Sequence, residues 1–247
     1  MPVTSGSGRP VDSTDVAFRP IRSGNAFEEC VERVLSAVKL GLVPTGERLP
    51  AERDLAARLG VSRVTLREAL RSLADAGWLE VRRGRHGGTF VLDRPPAPRS
   101  PRARRPRPQP RQSLEDTLVL RQVLEVGAAG LAASTPGGPD GAKALGEALA
   151  DCRAAGPAHY RTADSRFHLA VVELTGSPSL VAAVADVRMQ INDLLDLIPL
   201  LERNIVHSDD QHDRLVRAIR RGQPIAARAA MEEHLAGTAA LLRGFLS

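Results

Sequence analysis

Residues 94–112, RPPAPRSPRARRPRPQPRQ, hold seven arginines, seven prolines and no acidic residue. No regular element tolerates that composition. Proline removes backbone donors and clashes with a continuing helix, and neighbouring arginines repel one another while offering nothing to bury. The segment reads as a semi-extended linker of polyproline character. It divides the 247-residue chain into two stretches, 18–93 and 113–247, each long enough for a modest domain. Residues 1–17 read as a short disordered tail.

The division also separates charge. The chain carries a net +5. The linker supplies seven positive charges, residues 45–93 have nine arginines against seven acids, and residues 113–247 have 13 basic against 17 acidic residues. A basic front and an acidic rear point to a nucleic-acid-binding module ahead of a different kind of domain. No run approaches the roughly 20 apolar residues that span a bilayer, so no membrane partner is expected. MPVTSGSGRPVDSTD lacks the apolar stretch of a secretory signal. Cys30 and Cys152 are far apart and form no CxxC. Together these features lead us to expect a reduced, cytoplasmic protein.

The periodicities predict a mainly α protein. In front, Phe27–Leu40 is amphipathic, LVPTGERLP is a loop, and Ala51–Leu59 is a short helix with Glu52 and Asp54 in its first turn. Gly60-Val61 breaks the chain, Ser62 is a suitable N-cap, and Arg63–Ala76 forms a third helix that stops at Gly77. Its buried stripe is expected to comprise Val64, Leu66, Ala69, Leu70 and Leu73. WLEVRR and GGTFVL then read as two short strands. Three helices followed by a hairpin make a winged helix-turn-helix. Behind the linker, helical runs are expected at about 113–134, 140–154, 158–175, 178–197, 199–221 and 224–245. Gly-Pro and Gly-Ser-Pro breaks separate most of them, and the arrangement reads as an all-α bundle.

The phrase LPAERDLAARLGVSRVTLREALRSLADAGWLEVRRGRHGGTFV closely resembles the N-terminal domain of GntR-family bacterial transcription regulators, from about Phe27 to Val91. Independently of that resemblance, Arg63, Thr65 and Arg67 crowd the N-terminal end of the third helix, the end that a recognition helix presents to the major groove. Arginine can bond guanine O6 and N7 together, and Ser62 and Thr65 can bond phosphate. The resemblance implies operator contacts from Arg53, Arg63 and Arg67, with Arg83 and Gly84 at the wing tip. Val64 stands where relatives often have threonine and could meet a thymine methyl.

The rear stretch poses a different problem. In DSRFH, Asp164 and His168 are four residues apart and so share one helical face beside the apolar Phe167 stripe. His212 aligns with Leu215, Val216 and Ile219, and His234 with Ala227, Met231 and Leu241. A carboxylate and three imidazoles from three helices thus converge on a bundle interior. Burying that carboxylate alone is costly. A divalent ion such as Zn²⁺, Ni²⁺ or Mn²⁺ would offset the cost. The pieces LEDTLVLRQVLEVGAAGLAA, DSRFHLAVVELTGSPSL, QHDRLVRAI and MEEHL resemble the FCD ligand domain of the FadR-like subfamily, over about 114–245. That resemblance implies a metal held by Asp164, His168, His212 and His234 and a small organic acid as effector. Arg121 matches an arginine common in the family. It is expected either to pair with an effector carboxylate or to form a structural salt bridge.

The expected protein is therefore a homodimeric, ligand-responsive repressor that binds double-stranded operator DNA and senses a small carboxylate through a metal-containing pocket. Two alternatives are the same regulator with a purely structural metal and a metal-dependent hydrolase. The second is disfavoured because no HExxH is present and no spare acid lies on the histidine stripes.

Overall fold

The computed structural model describes residues 18, 20–21, 24–84, 87–92, 111–134 and 138–247. The tail expected at 1–17 and nearly all of the linker expected at 94–112 lie outside those residues. The chain forms two compact units, one within residues 1–95 and one within 96–247.

The front unit holds α1 (Ala26–Lys39), α2 (Glu52–Leu59), α3 (Arg63–Asp75), β1 (Leu79–Arg82) and β2 (Gly88–Val91). Val31, Val34 and Leu35 of α1, Leu55 and Leu59 of α2, and Leu66, Ala69, Leu70 and Leu73 of α3 form its core. Burying each of these valines and leucines contributes about 1.5–3 kcal/mol. Gly60 ends α2 at φ +69°, a left-handed conformation that glycine adopts without Cβ strain. This turn sets α3 against α2. The hairpin is antiparallel, with Leu79 opposite Val91 and Arg82 opposite Gly88. The loop expected between α1 and α2 also joins the sheet. Arg48 bridges Phe90, Leu49 N–H donates to Thr89 O at 2.8 Å, and Val91 N–H donates to Glu47 O at 3.0 Å. The paired run is so short that no alternation marks it in the sequence.

The rear unit consists, among the described residues, of α4 (Arg111–Ser134), α5 (Gly138–Ala154), α6 (Tyr160–Glu173), α7 (Pro178–Leu195), α8 (Glu202–Arg220) and α9 (Pro224–Leu246). α4 begins at Arg111, inside the stretch expected to be linker. Ser177 caps α7 by accepting the Leu180 N–H, and Pro178 supplies the fixed φ of a first helical turn. α9 packs against α4 and α8, α4 against α7, and α5 against α6. The small residues of GAAGLAAS let α4 approach closely. Ala129, Ala132 and Ala133 join Phe167, Val171, Leu215, Ile219, Met231 and Leu235 in one buried cluster. The unit therefore brings α4, α6, α7, α8 and α9 around a common interior.

Candidate functional site

In the front unit the first turn of α3 faces solvent. Ser62 Oγ accepts the Thr65 N–H at 3.0 Å and lies 2.8 Å from Thr65 Oγ1, which fixes that turn. Arg63 and Arg67 are exposed, and Val64 is 65% exposed. The expected burial of Val64 is thus corrected. The stripe runs Leu66, Ala69, Leu70 and Leu73, and a residue two positions before Leu66 is turned about 200° away from it. Arg67 Nε and Nη2 reach Glu52 Oε2 at 3.1 and 2.9 Å, and Arg53 Nε reaches Asp54 Oδ1 at 3.0 Å. These exposed pairs contribute little stability, so either guanidinium can exchange its carboxylate for another anion. Arg83 and Gly84 follow β1 and are exposed, with Gly84 at φ +101°.

In the rear unit charge lies inside. α6 carries Asp164 and His168 one turn apart, α8 carries His212, and α9 carries His234. All four are buried, and one ligand atom from each lies within 4.8 Å of the others. His168 Nε2 is 3.1 Å from His234 Nε2, and His212 Nε2 is 3.3 Å from the same atom. Asp164 Oδ1 is 3.5 Å from His212 Nε2 and 3.8 Å from His168 Nε2.

The residues behind these four fix their orientation. His168 Nδ1 contacts the Glu125 carboxylate, and His234 Nδ1 lies 3.0 Å from Gln211 Oε1. With protons on those outer nitrogens, the Nε2 atoms of His168 and His234 turn bare lone pairs toward each other. Arg188 bonds Asp164 Oδ2 and leaves Oδ1 facing the histidines. Burial pushes the His212 imidazole down to about 3, against the opposing pull of Asp164. Burial, then His212 and His168, also push His234 well below the usual range. Burial alone would raise the Asp164 carboxyl, but Arg188 and the neighbouring histidines outweigh it and hold the group below the ordinary carboxylate range.

The donor set fits one first-row cation. For bonds of about 2.1 Å, neighbouring ligands of one ion stand roughly 3.0–3.4 Å apart, close to the separations seen. Lone pairs facing each other across such a gap repel unless a cation or proton lies between them. A second group, Cys152, Asp209 and His212, also places potential ligand atoms within 4.8 Å of one another.

Arg121 is buried and its Nε donates to Glu125 Oε1 at 2.9 Å. Its Nη1, and Nε and Nη1 of Arg188, have no hydrogen-bond partner among the described residues. A cavity of about 40 Å³, lined in part by Tyr160, Asp164, Leu201, Ser208, His234 and Leu241, adjoins the cluster on a side that Arg121 does not line. That volume admits roughly three water molecules. Sequence reading missed Glu125, Arg188 and Gln211. Arg188 did leave a signal, since it sits at core spacing with Val184, Val187 and Ile191 on α7.

A winged helix with a cationic helix end, followed by a helical unit with a polar heart, is an arrangement of DNA-binding transcription regulators. The sequence matches the gntR family of bacterial regulatory proteins over residues 27–91 and the FCD domain over residues 116–237. The chain belongs to the GntR family of DNA-binding transcription regulators, in its FCD-containing form. It is 32% identical to the HTH-type transcriptional regulator RmpR of Mycobacterium gastri, over 88% of this chain and 80% of that one. It is 31% identical to an Escherichia coli protein named as an L-lactate dehydrogenase operon regulatory protein, over 84% and 83% of the two chains. Among solved structures, E. coli McbR/YncC aligns with a TM-score of 0.50 at 20% identity, covering 87% of this chain and 96% of that one. The family and these relatives are regulators, not enzymes. Among the described residues no helix is long and apolar enough to cross a membrane.

Proposed function

We propose that this protein is a cytoplasmic, homodimeric repressor whose operator binding responds to a small carboxylate held at a metal-containing core. Residues 18–93 serve as the DNA module, 94–112 as a linker and 113–247 as the sensor. The observation that carries the reading is the convergence of three imidazole Nε2 atoms and one carboxylate oxygen in a buried interior. Asp164, His168, His212 and His234 would hold the ion, with Zn²⁺, Ni²⁺ and Mn²⁺ all compatible with this ligand set. The bound cation would supply a positive centre that attracts an effector carboxylate.

Glu125 and Asp164 face Arg121, Arg188 and the doubly charged ion, which leaves positive charge for an effector carboxylate. The donor atoms of Arg121 and Arg188 that lack partners suit a carboxylate oxygen. On the DNA side, Arg63 and Arg67 would read base edges, Val64 a thymine methyl, and Arg53, Ser62 and Thr65 the backbone, with Arg83 and Gly84 at the wing tip. Val119, Val123 and Leu131 form an exposed apolar line along α4, a face suited to a second copy. A dimer matches a palindromic operator whose half-site spacing the duplex fixes, so an effector that favours one dimer geometry changes affinity.

A purely structural cation is the rival reading, favoured by the small cavity and by the pairing of Arg121 with Glu125. Thermal shift separates the two. A chelator lowers the melting temperature under both, but only the sensor gains further stability from a small carboxylate. Elemental analysis tests the ion itself, because His212→Ala and His234→Ala should each remove most of it. Stoichiometric metal in both variants would refute the ligand assignment. Mobility shifts on the DNA upstream of the protein's own coding region test operator binding.

A further inference from the structure

The three clustered histidines differ in what stands behind them. His168 Nδ1 has Glu125 and His234 Nδ1 has Gln211. His212 Nδ1 is buried without a hydrogen-bond partner among the described residues. One turn earlier on α8, Asp209 Oδ1 is likewise buried without a hydrogen-bond partner. A carboxylate oxygen of Asp209 and a ring nitrogen of His212 lie within 4.8 Å of each other, and both lie within that distance of Cys152 Sγ. Two buried polar atoms without hydrogen-bond partners thus belong to neighbouring side chains one turn apart, at the one clustered histidine whose outer side is unsupported. We propose that Asp209 is the positioning residue of His212, accepting its Nδ1–H directly or through one water when a cation occupies the cluster. This inference rests on the metal-holding reading of Asp164, His168, His212 and His234.

The chemistry favours this role over a second cation site at Cys152, Asp209 and His212. A neutral imidazole that gives its Nε2 lone pair to a cation keeps its proton on Nδ1. That nitrogen then needs an acceptor and cannot itself be a ligand. A carboxylate behind a ligating histidine fixes the tautomer, holds the ring plane and makes the ligating nitrogen more basic. Cys152 is fully buried. A buried free cysteine packs as a small apolar group. Asp209 also lies on the same helix as His212, so one rigid element carries both the ligand and its support.

The test measures Zn²⁺ affinity of the full chain by chelator competition. The Asp209→Ala variant should bind about 10–100-fold more weakly than the unmodified protein, while the melting temperature of the cation-free protein stays the same. Asp209→Asn keeps an acceptor oxygen and should recover most of the affinity, which a merely structural role would not predict. Nitrogen NMR of the zinc-loaded protein should show the His212 proton on Nδ1. Equal Zn²⁺ affinity in unmodified protein and Asp209→Ala would overturn this inference alone. So would a thiolate charge-transfer band in the Co²⁺-loaded protein that Cys152→Ser abolishes, because Cys152 would then be a ligand. If the unmodified protein binds no Zn²⁺ at all, the underlying metal reading fails as well.

Discussion

The front unit keeps its ionic chemistry on the outside and the rear unit keeps it within. Arg53, Arg63, Arg67 and Arg83 stand in solvent, paired loosely or not at all with neighbouring acids. Arg121, Arg188, Glu125, Asp164 and three histidines are buried. The contrast matches the two kinds of partner proposed for the units. A duplex is larger than the domain and is met at a surface, where each arginine acts nearly independently and costs little to hold. A cation or small acid is smaller than the domain and is enclosed, so every charge must be matched by another in a dry interior. Substitutions in front should therefore weaken binding while sparing the fold, and those behind should disturb both.

Four measurements can break or sharpen this contrast. The single tryptophan, Trp78, reports on the front unit, and the single tyrosine, Tyr160, reports on the rear. The largest effect is expected from Arg188→Ala, which leaves Asp164 buried without its counter-charge. Urea unfolding followed through Tyr160 should lose about 3–5 kcal/mol, while the Trp78 transition stays in place. Equal losses at both probes would show that the two units do not respond separately.

Acid should also act on the rear unit first. His212 is held neutral down to about 3, whereas its unfolded counterpart takes up a proton near 6.5. The unfolded state therefore binds more protons between those values, and stability falls as pH drops through that window. The loss for each histidine that must stay neutral is about 1.4 kcal/mol per pH unit. Asp164 and Glu125, both held below the ordinary range against the opposing effect of burial, add loss of the same sign at lower pH. A Tyr160 transition in cation-free protein that does not move between pH 6.5 and 4 would contradict the neutral-histidine core.

Arg63→Ala should weaken specific operator binding by about 1–3 kcal/mol without shifting the Tyr160 transition. Unchanged operator affinity in a titration at fixed salt would remove Arg63 from the reading face. The smallest effect belongs to Ser62→Ala, which deletes the cap of α3. Roughly 1 kcal/mol should be lost, visible at Trp78 and absent at Tyr160.

The architecture was legible to different depths in the two halves. Every helix of the described residues shows itself through spacing and breakers, as with Gly60 before α3 and Ser177-Pro178 before α7. Asp164, His168, His212 and His234 could be nominated from stripes because a polar residue in an apolar row is rare. Val64 reads as core in the sequence because a valine near a stripe looks buried, and the rotation from Leu66 turns it to solvent. The strand-like run at Glu47–Leu49 is defined by partners in β2 some forty residues later, so no local pattern could announce it.

What the sequence by itself determined is the alternation of helices and breaks, the division of charge between front and rear, and the candidates for burial. These are one-dimensional properties, set by the 3.6-residue period and by the chemistry of each side chain. Only the tertiary structure decided that Glu125 stands behind His168, Gln211 behind His234 and Arg188 behind Asp164. Those contacts join helices distant in the chain, and helix direction and packing distance select them, quantities that residue spacing within one helix does not contain.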